Sequence, residues 1–299
     1  MSLEVAKLSA AVTSSTGSAS IQPKFCVAAF PEDTFALRVY LALEAQVGPE
    51  QAHLLSGAEL AMLPRITHTV DNTRATVDLE LANNRTLALR PGSLVLNRLT
   101  RVCTPQFDGA SLHDREYAML ETYALWLSVL ESLPCRVVNR PDAQALCGRN
   151  VSRIEVLLLA SRAGLPVQGY MATTDSRRWF RPDFDAHPIG ISEVQAVAMN
   201  VSIPRGLVGR SACLFLEPVE APPHTTLVTG ASVFGYLAQT YTRELIELRS
   251  MLRLDVMEAV FMHSMLDGRP KLCSVTAIPG NCDTAYLNHL STWLMEQVA

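Results

Sequence analysis

Polar side chains that could bind an anion follow the ends of two short apolar stretches. Residues 93–98 end in Asn97 and Arg98, and residues 135–139 are followed directly by Arg140. Ligands of open α/β sheets gather at the carboxyl ends of the strands, where a guanidinium can form charge-assisted hydrogen bonds with a carboxylate or a phosphate. The sequence therefore predicts that Asn97, Arg98 and Arg140 bind an anionic substrate. Structural salt bridges are the alternative role for the two arginines.

Several common catalytic motifs are absent from the sequence. It contains no G-x-x-x-x-G-K-[ST] phosphate loop, no G-x-G-x-x-G dinucleotide loop and no H-E-x-x-H zinc motif. The seven histidines are scattered, so spacing alone predicts no zinc site. Ser232 lies in "GASVFG", which departs from the G-x-S-x-G pattern of an exposed nucleophile.

The composition is that of a globular protein with a large core. Of the 299 residues, 48% are apolar and 18% are charged, which excludes disordered and collagen-like chains. The formal net charge of −4 and the lack of a long apolar run argue against nucleic-acid and membrane partners. Seven cysteines without a C-x-x-C pair favour reduced thiols and a cytoplasmic location.

The first half of the chain predicts strands and helices in alternation, after a flexible tail at residues 1–22. A nearly all-apolar run at 24–30 is typical of a buried parallel strand, and 31–46 has helical spacing of apolar residues. A hairpin is predicted around Asn83 and Asn84. Residues 112–133 predict an amphipathic helix. Its predicted core side consists of Leu112, Tyr117, Leu120, Tyr123, Leu125, Leu127 and Leu130.

The second half of the chain continues with the same two kinds of element. A helix is predicted at 153–164, and a hairpin between apolar runs is predicted at Asp267 and Gly268 because Asp-Gly favours a tight turn. The remaining predicted elements are strands at 166–173, 211–219 and 225–239 and helices at 241–252 and 284–298.

The order of these elements, together with three strings, resembles the ATP-grasp superfamily on its RimK and glutathione-synthetase-like branch. The strings are "SLVLNRLTRVCTP" with "CRVVNRPDAQALCGRNVSRIEVLLLASRAGLPV", then "CLFLEPVEAPPHTTLVTGASVFG", and then "LRLDVMEAVFMHSMLDGRPKLCSVTAIPGN". The resemblance implies an α/β fold in three lobes. They are a parallel pre-ATP-grasp lobe at 23–145, a reduced central lobe at 146–210, and a C-terminal α+β lobe with an antiparallel sheet at 211–299.

The resemblance also implies a nucleotide site and ATP as cofactor. Arg153 stands where the family has a lysine that contacts the nucleotide phosphates, and it keeps the positive charge. Arg205 and Arg210 are the basic candidates in the central lobe, where the family has a second lysine. Glu217 lies where a glutamate precedes the linker that touches adenine.

At the metal positions the chain departs from the family pattern. The family binds two magnesium ions with two carboxylates and an asparagine, and here those positions are occupied by Val260, Ser274 and Thr276. Glu258 is the nearest carboxylate and the one weak metal candidate. Hydroxyl groups alone are poor magnesium ligands, so the sequence predicts no metal site, and a role for magnesium is doubtful.

Two functions remain open from the sequence. In the first, the protein is a carboxylate–amine ligase of a small-molecule or cofactor pathway, with an association to tetrahydromethanopterin biosynthesis implied by resemblance alone. In the second, it is a non-catalytic binding protein for a pterin, nucleotide or peptide, or a scaffold for a partner enzyme. A homodimer is a further possibility. The missing carboxylates and lysines favour the second function.

Overall fold

The computed structural model describes residues 20–72, 75–173, 185–188 and 213–298. The described chain forms two compact units. Unit 1 contains the residues up to Gly148 together with those from Cys282 onward, and unit 2 contains Arg149–Asn281.

A four-stranded parallel sheet forms the centre of unit 1. Its strands are β2 (Phe25–Ala29), β3 (Ala52–Ser56), β7 (Leu94–Asn97) and β8 (Arg136–Val138), in the order β3-β2-β7-β8. Every residue of β2 is buried, as expected of a strand covered on both faces. Helix α1 (Thr34–Val47) packs on β2 and β3, and the short helix α2 (Gly57–Ala61) follows β3.

A second sheet of unit 1 contains the predicted hairpin. Its strands are β1 (Ser20–Ile21), β4 (Arg65–Val70), β5 (Ala75–Glu80) and β6 (Thr86–Leu89), in the order β1-β6-β5-β4. Asn84 has a φ of 59° in the turn between β5 and β6, which confirms the hairpin at the asparagine pair.

Helix α3 (Leu112–Ser132) confirms the predicted helix, but the predicted core side is wrong for four of its residues. Ser111 caps the helix by accepting a hydrogen bond from the backbone of Asp114. Apolar residues occur all round this helix, so periodicity did not define one face, and the small Ala118 and the large Trp126 fit the core instead. The four predicted core residues that are exposed instead are Leu112 (64%), Tyr117 (62%), Leu120 (65%) and Leu125 (40%).

Unit 2 is built on a four-stranded antiparallel sheet in the order β13-β12-β14-β15. Its strands are β12 (Val219–Thr229), β13 (Ser232–Gly235), β14 (Val256–Ser264) and β15 (Pro270–Thr276). Helices α4 (Arg153–Arg162) and α5 (Thr242–Leu252) cover one face, where Val228, Met257 and Phe261 are fully buried. The β14–β15 hairpin turns at Gly268, as predicted.

A smaller sheet in unit 2 has β11 (Cys213–Leu216) between β9 (Tyr170–Thr173) and β10 (Asp185–Pro188), all antiparallel. The last helix, α6 (Thr284–Glu296), packs on α1 and clusters with unit 1, whereas the sequence grouped residues 282–299 with the C-terminal lobe. The α/β class with a parallel and an antiparallel sheet is confirmed. Among the described residues, no helix has the length and hydropathy needed to span a bilayer.

Candidate functional site

Arg98 is held in unit 1 by an ion pair with Asp33. Its Nε and Nη2 donate to the two carboxylate oxygens at 2.7 and 3.1 Å, and the side chain is only 4% exposed. Asp33 also caps helix α1 by accepting from the backbone N–H of Ala36 at 2.9 Å. The guanidinium stacks over the ring of Phe35, 4.6 Å from its centroid. Arg98 therefore ties the end of β7 to the start of α1.

Asn97 and Arg140 are also engaged by the backbone of unit 1. The Asn97 amide, which is buried, donates to the carbonyls of Asn139 at 3.1 Å and Leu146 at 2.6 Å. The guanidinium of Arg140 donates to the carbonyls of Glu131 and Cys135 at 2.6 and 3.1 Å, at the end of helix α3. Both contacts are structural, and substrate binding by these residues stays a prediction.

Unit 2 brings Arg153 and Glu217 into one hydrogen-bond network through a residue that the sequence did not single out. Arg153, at the start of α4, donates from Nη2 to the side-chain oxygen of Gln168 at 2.8 Å and from Nε to the carbonyl of Cys273 at 3.2 Å. The side-chain nitrogen of Gln168 donates to the backbone carbonyl of Glu217. Gln168 is only 3% exposed, so this bridge is buried.

The buried carboxylate of Glu217, between β11 and β12, accepts two hydrogen bonds. One oxygen accepts the backbone N–H of Gly169 at 2.8 Å, and the other accepts the hydroxyl of Ser264. A Cβ at position 169 would lie 2.8 Å from that first oxygen, so a larger residue there would force the Glu217 carboxylate to shift. The linker that follows Glu217 is thereby fixed to β9 and β14.

The sheet face opposite the helices contains the positions that the resemblance assigns to metal ligands. Side chains alternate along β14, so Glu258 and Val260 share this face. Thr276 pairs with Glu258 and Ser274 pairs with Val260 across β14 and β15. These four positions therefore supply one carboxylate, one valine and two hydroxyls.

Glu258 already has partners of its own. The side chain is 6% exposed, and one oxygen accepts the backbone N–H groups of Gly280 and Asn281 at 3.3 and 3.2 Å. The Asn281 amide in turn donates to the hydroxyl of Thr225 at 2.8 Å. These bonds hold the loop after β15 on the sheet face.

The donor set does not fit a pair of magnesium ions. Magnesium prefers carboxylate and other hard oxygen ligands in octahedral geometry. Across the part of the chain that the structure describes, no three His, Cys, Asp or Glu side chains are grouped so as to hold a metal ion. Arg205 and Arg210, the remaining predicted nucleotide contacts, lie outside the described residues.

Two of the contacts that sequence reasoning missed had a local signal. Asp33 precedes the first helical residue, which is the position of an N-cap. Gln168 is a polar residue in the stretch "LPVQGYMA", and a buried polar group needs partners. Ser264 carried no such signal, because its role depends on Glu217, which is 47 residues away.

Comparison with known proteins identifies the fold. No family model and no curated protein matches the chain. Among solved structures, the macrocyclase MdnC of Microcystis aeruginosa MRC, bound with precursor peptide MdnA, has a TM-score of 0.70 at 14% identity, covering 92% of this chain and 99% of that one. The ATP-grasp ligase PsnB, complexed with a minimal precursor, Mg and ADP, gives 0.67 at 16% identity, with 92% and 98% coverage.

A third similar structure is the RiPP-associated ATP-grasp ligase of Chryseobacterium gregarium, in complex with ADP and a leader and core peptide. Its TM-score is 0.68 at 13% identity, and the match covers 92% of this chain and 96% of that one. Identities this low establish the fold alone. The expected ATP-grasp fold is therefore confirmed over most of the chain.

Proposed function

We propose that this chain, which has the ATP-grasp fold, is a binding protein of the carboxylate–amine ligase lineage, with a nucleotide held beside Arg153 and a peptide as its partner. The observation that carries the proposal is the state of the sheet face on β14 and β15. Its carboxylate, Glu258, is committed to the backbone of Gly280 and Asn281, and Val260, Ser274 and Thr276 supply no second carboxylate.

The nucleotide part of the proposal rests on the network around Arg153. Hydrogen bonds to Gln168 and to the Cys273 carbonyl fix the plane of the guanidinium at the start of helix α4. A positive charge held in one orientation is suited to a phosphate. Gln168 connects that charge to the linker at Glu217, which the resemblance places beside the base.

The peptide part of the proposal rests on analogy of fold. PsnB and MdnC were each crystallised with a precursor peptide, and the Chryseobacterium gregarium ligase with a leader and core peptide. Proteins that share a fold differ in function, so the peptide is a partner to be tested. The narrower prediction of tetrahydromethanopterin biosynthesis makes a pterin the second ligand to test.

Phosphoryl transfer depends largely on cations that neutralise the phosphates. The donor set described above supplies few magnesium ligands, so we expect nucleotide binding to depend little on magnesium. If the protein were an active ligase, nucleotide binding should depend strongly on magnesium, because the metal ions of such an enzyme neutralise the phosphates.

Isothermal titration with ATP, in EDTA and then in excess magnesium, tests the proposal. We expect similar affinities in the two buffers and no formation of ADP with or without candidate peptides. Arg153→Ala should weaken ATP at least about tenfold, which is the usual size of a lost charge-assisted bond. Arg149→Ala is the matched control, because Arg149 pairs with Glu155 at 2.7 Å on the surface of the same unit.

The outcomes separate the candidate functions. Magnesium-dependent tightening of ATP with release of ADP would establish a ligase and overturn the proposal. If a pterin binds and ATP does not, the ligand of the site is a pterin and the nucleotide part of the proposal is wrong. Equal effects of the Arg149 and Arg153 variants would remove Arg153 from the site.

A further inference from the structure

Two histidines and a tyrosine come together on unit 2, on the side of its sheet that the helices cover. His224 on β12 pairs with Phe261 on β14, and His263 lies two residues further along β14. Residues that pair across strands, and residues two apart along one strand, share a face. Phe261 belongs to the core under the helices, so both imidazoles lie on that side. The group is therefore separate from Glu258, which lies on the opposite face.

Tyr236 is held against β12 directly after β13 ends. Its backbone N–H donates to the carbonyl of Thr225 at 3.1 Å, and its own carbonyl accepts the hydroxyl of Thr226. Gly235, with a φ of 111°, allows this approach, because a Cβ there would lie 2.7 Å from the Thr225 oxygen. These contacts place the ring of Tyr236 over His224, with 4.3 Å between the ring centroids and 22° between the ring planes.

The distances between these three side chains match those of ligands on one metal ion. Oη of Tyr236 lies 3.3 Å from Nε2 of His263, and the imidazole centroids of His224 and His263 are 5.5 Å apart. In a tetrahedral zinc site with bonds of about 2.0–2.1 Å, two ligand atoms lie about 3.3–3.4 Å apart and two imidazole centroids about 5–5.5 Å apart. The contact between Tyr236 and His263 is long for a hydrogen bond, whose ordinary range ends at about 3.2 Å.

The donor atoms of this group are available to a ligand. Within the described part of the chain, neither ring nitrogen of His224 has a hydrogen-bond partner. All three side chains are half-buried, so each keeps part of its surface in solvent while the sheet limits its motion. The exposed Glu220 pairs with His263 across the two strands, and its negative charge favours a cation there.

We propose that His224, Tyr236 and His263 bind one zinc ion, with water in the fourth position. Imidazole nitrogens are ligands of zinc, copper and nickel, whereas magnesium and calcium prefer oxygen. The spacing favours zinc over copper(II), because the right angles of a tetragonal copper site would bring the two donor atoms of Tyr236 and His263 to about 2.8 Å from each other. The ion would join the end of β13 to β12 and β14.

Isothermal titration of the full chain with zinc chloride, after removal of metals with EDTA and dialysis, tests the proposal. We expect one zinc ion per chain with a Kd of about 10 μM or below. His224→Ala and His263→Ala should each weaken binding at least about a hundredfold, because even residues that only orient a zinc ligand contribute about 10–100-fold. His113→Ala is the matched control, because His113 is exposed on helix α3 of unit 1. It should leave the Kd unchanged.

Tyr236→Phe is the second arm of the test. It removes the hydroxyl and keeps the ring over His224, so we expect zinc to bind about tenfold or more weakly. Thermal unfolding of the metal-free variants checks that the fold is intact. Zinc should raise the Tm of the wild type and of His113→Ala, and it should leave the Tm of His263→Ala unchanged.

Cobalt(II) in place of zinc identifies the ligands. Two nitrogens and an oxygen give the visible absorption of tetrahedral cobalt without thiolate charge-transfer bands, which binding to the half-exposed Cys103 or Cys282 would produce. Such bands would overturn the proposal, as would zinc binding that survives both histidine substitutions or a wild-type chain that binds no zinc. Unchanged zinc affinity in Tyr236→Phe would refute the three-ligand site.

Discussion

Replacing Glu258 by glutamine should destabilise unit 2 by about 1–2 kcal/mol. Hydrogen bonds to a charged group contribute about 1.5–3 kcal/mol, and neutral ones about 0.5–1.5 kcal/mol. Glu258 accepts two backbone N–H groups at 3.3 and 3.2 Å, which are long bonds and favour the lower end of these ranges. Glutamine keeps a carbonyl oxygen at that place but loses the charge that strengthens both bonds.

The assay is urea unfolding followed by circular dichroism, with thermal unfolding as a second measurement. We expect a lower urea midpoint, with an unchanged slope of the free energy of unfolding against urea concentration. The Tm should fall by a few degrees, because a loss of 1 kcal/mol lowers the Tm by about 2–4 °C. Asn281→Ala, which removes the amide bond to Thr225 but leaves the backbone N–H, is the matched control and should cost less.

A metal-ligand role for Glu258 gives the opposite result. A buried carboxylate whose cation is absent is destabilising because it has lost its hydration without gaining a partner charge. Replacing it by the neutral glutamine would then stabilise the protein. Magnesium would also raise the Tm of the wild type by mass action. Observing both effects would refute the assignment of Glu258 to the loop after β15.

Three further predictions concern unit 1 and the thiols. Arg98→Ala should lower the free energy of unfolding in urea by about 3 kcal/mol, because it leaves the half-buried Asp33 without its ion pair. Arg101→Ala breaks an exposed pair with Glu32 and should lower it by less than about 1 kcal/mol. Equal losses for the two variants would contradict this account. Burial, together with the charge of Arg85, lowers the pKa of His53 to about 4. The contribution of neutral His53 to the free energy of unfolding is therefore complete above pH 6.5, the ordinary pKa of histidine, and about 3 kcal/mol of it is lost as the pH falls to 4. His53→Asn should flatten that part of the stability profile, and an unchanged profile would exclude His53 as its source. Burial raises the pKa of Cys135 and Cys273 to about 11 and of Cys147 to about 12. In the native protein a thiol reagent should therefore modify the half-exposed Cys103 and Cys282 before these three, as mass spectrometry of the labelled peptides would show. Rapid labelling of Cys147 would show that its pocket opens.

Most elements of this fold could be predicted because their signals are local, whereas β3, α2, β4 and β10 were missed. The all-apolar run of β2, the asparagine turn between β5 and β6 and the Asp-Gly turn before β15 each depend on a few neighbouring residues. Periodicity failed at α3, where apolar residues on all sides left the buried face undetermined. That face was selected by the fit of Ala118 and Trp126 to the core.

The roles of the candidate site residues depend on partners distant in the sequence. The position of Arg98 at the end of a predicted strand identified it, and the resemblance to the ATP-grasp superfamily identified Arg153, Glu217 and Glu258. The tertiary structure decided what each charge contacts. Asp33 is 65 residues from Arg98, Glu217 is 49 residues from Gln168, and Gly280 is 22 residues from Glu258.

The sequence by itself determined most of the strands and helices, although not β3, α2 and β4 between residues 52 and 70, and it determined the two hairpins. It also showed that carboxylates are lacking at the positions that the resemblance assigns to metal ligands. Only the tertiary structure decided that Glu258 fastens a loop, that Gln168 joins Arg153 to the linker, and that one side of α3 stays exposed. The physical reason is that secondary structure follows from local backbone and side-chain preferences. The partner of a buried charge is set by which distant segments the core brings together.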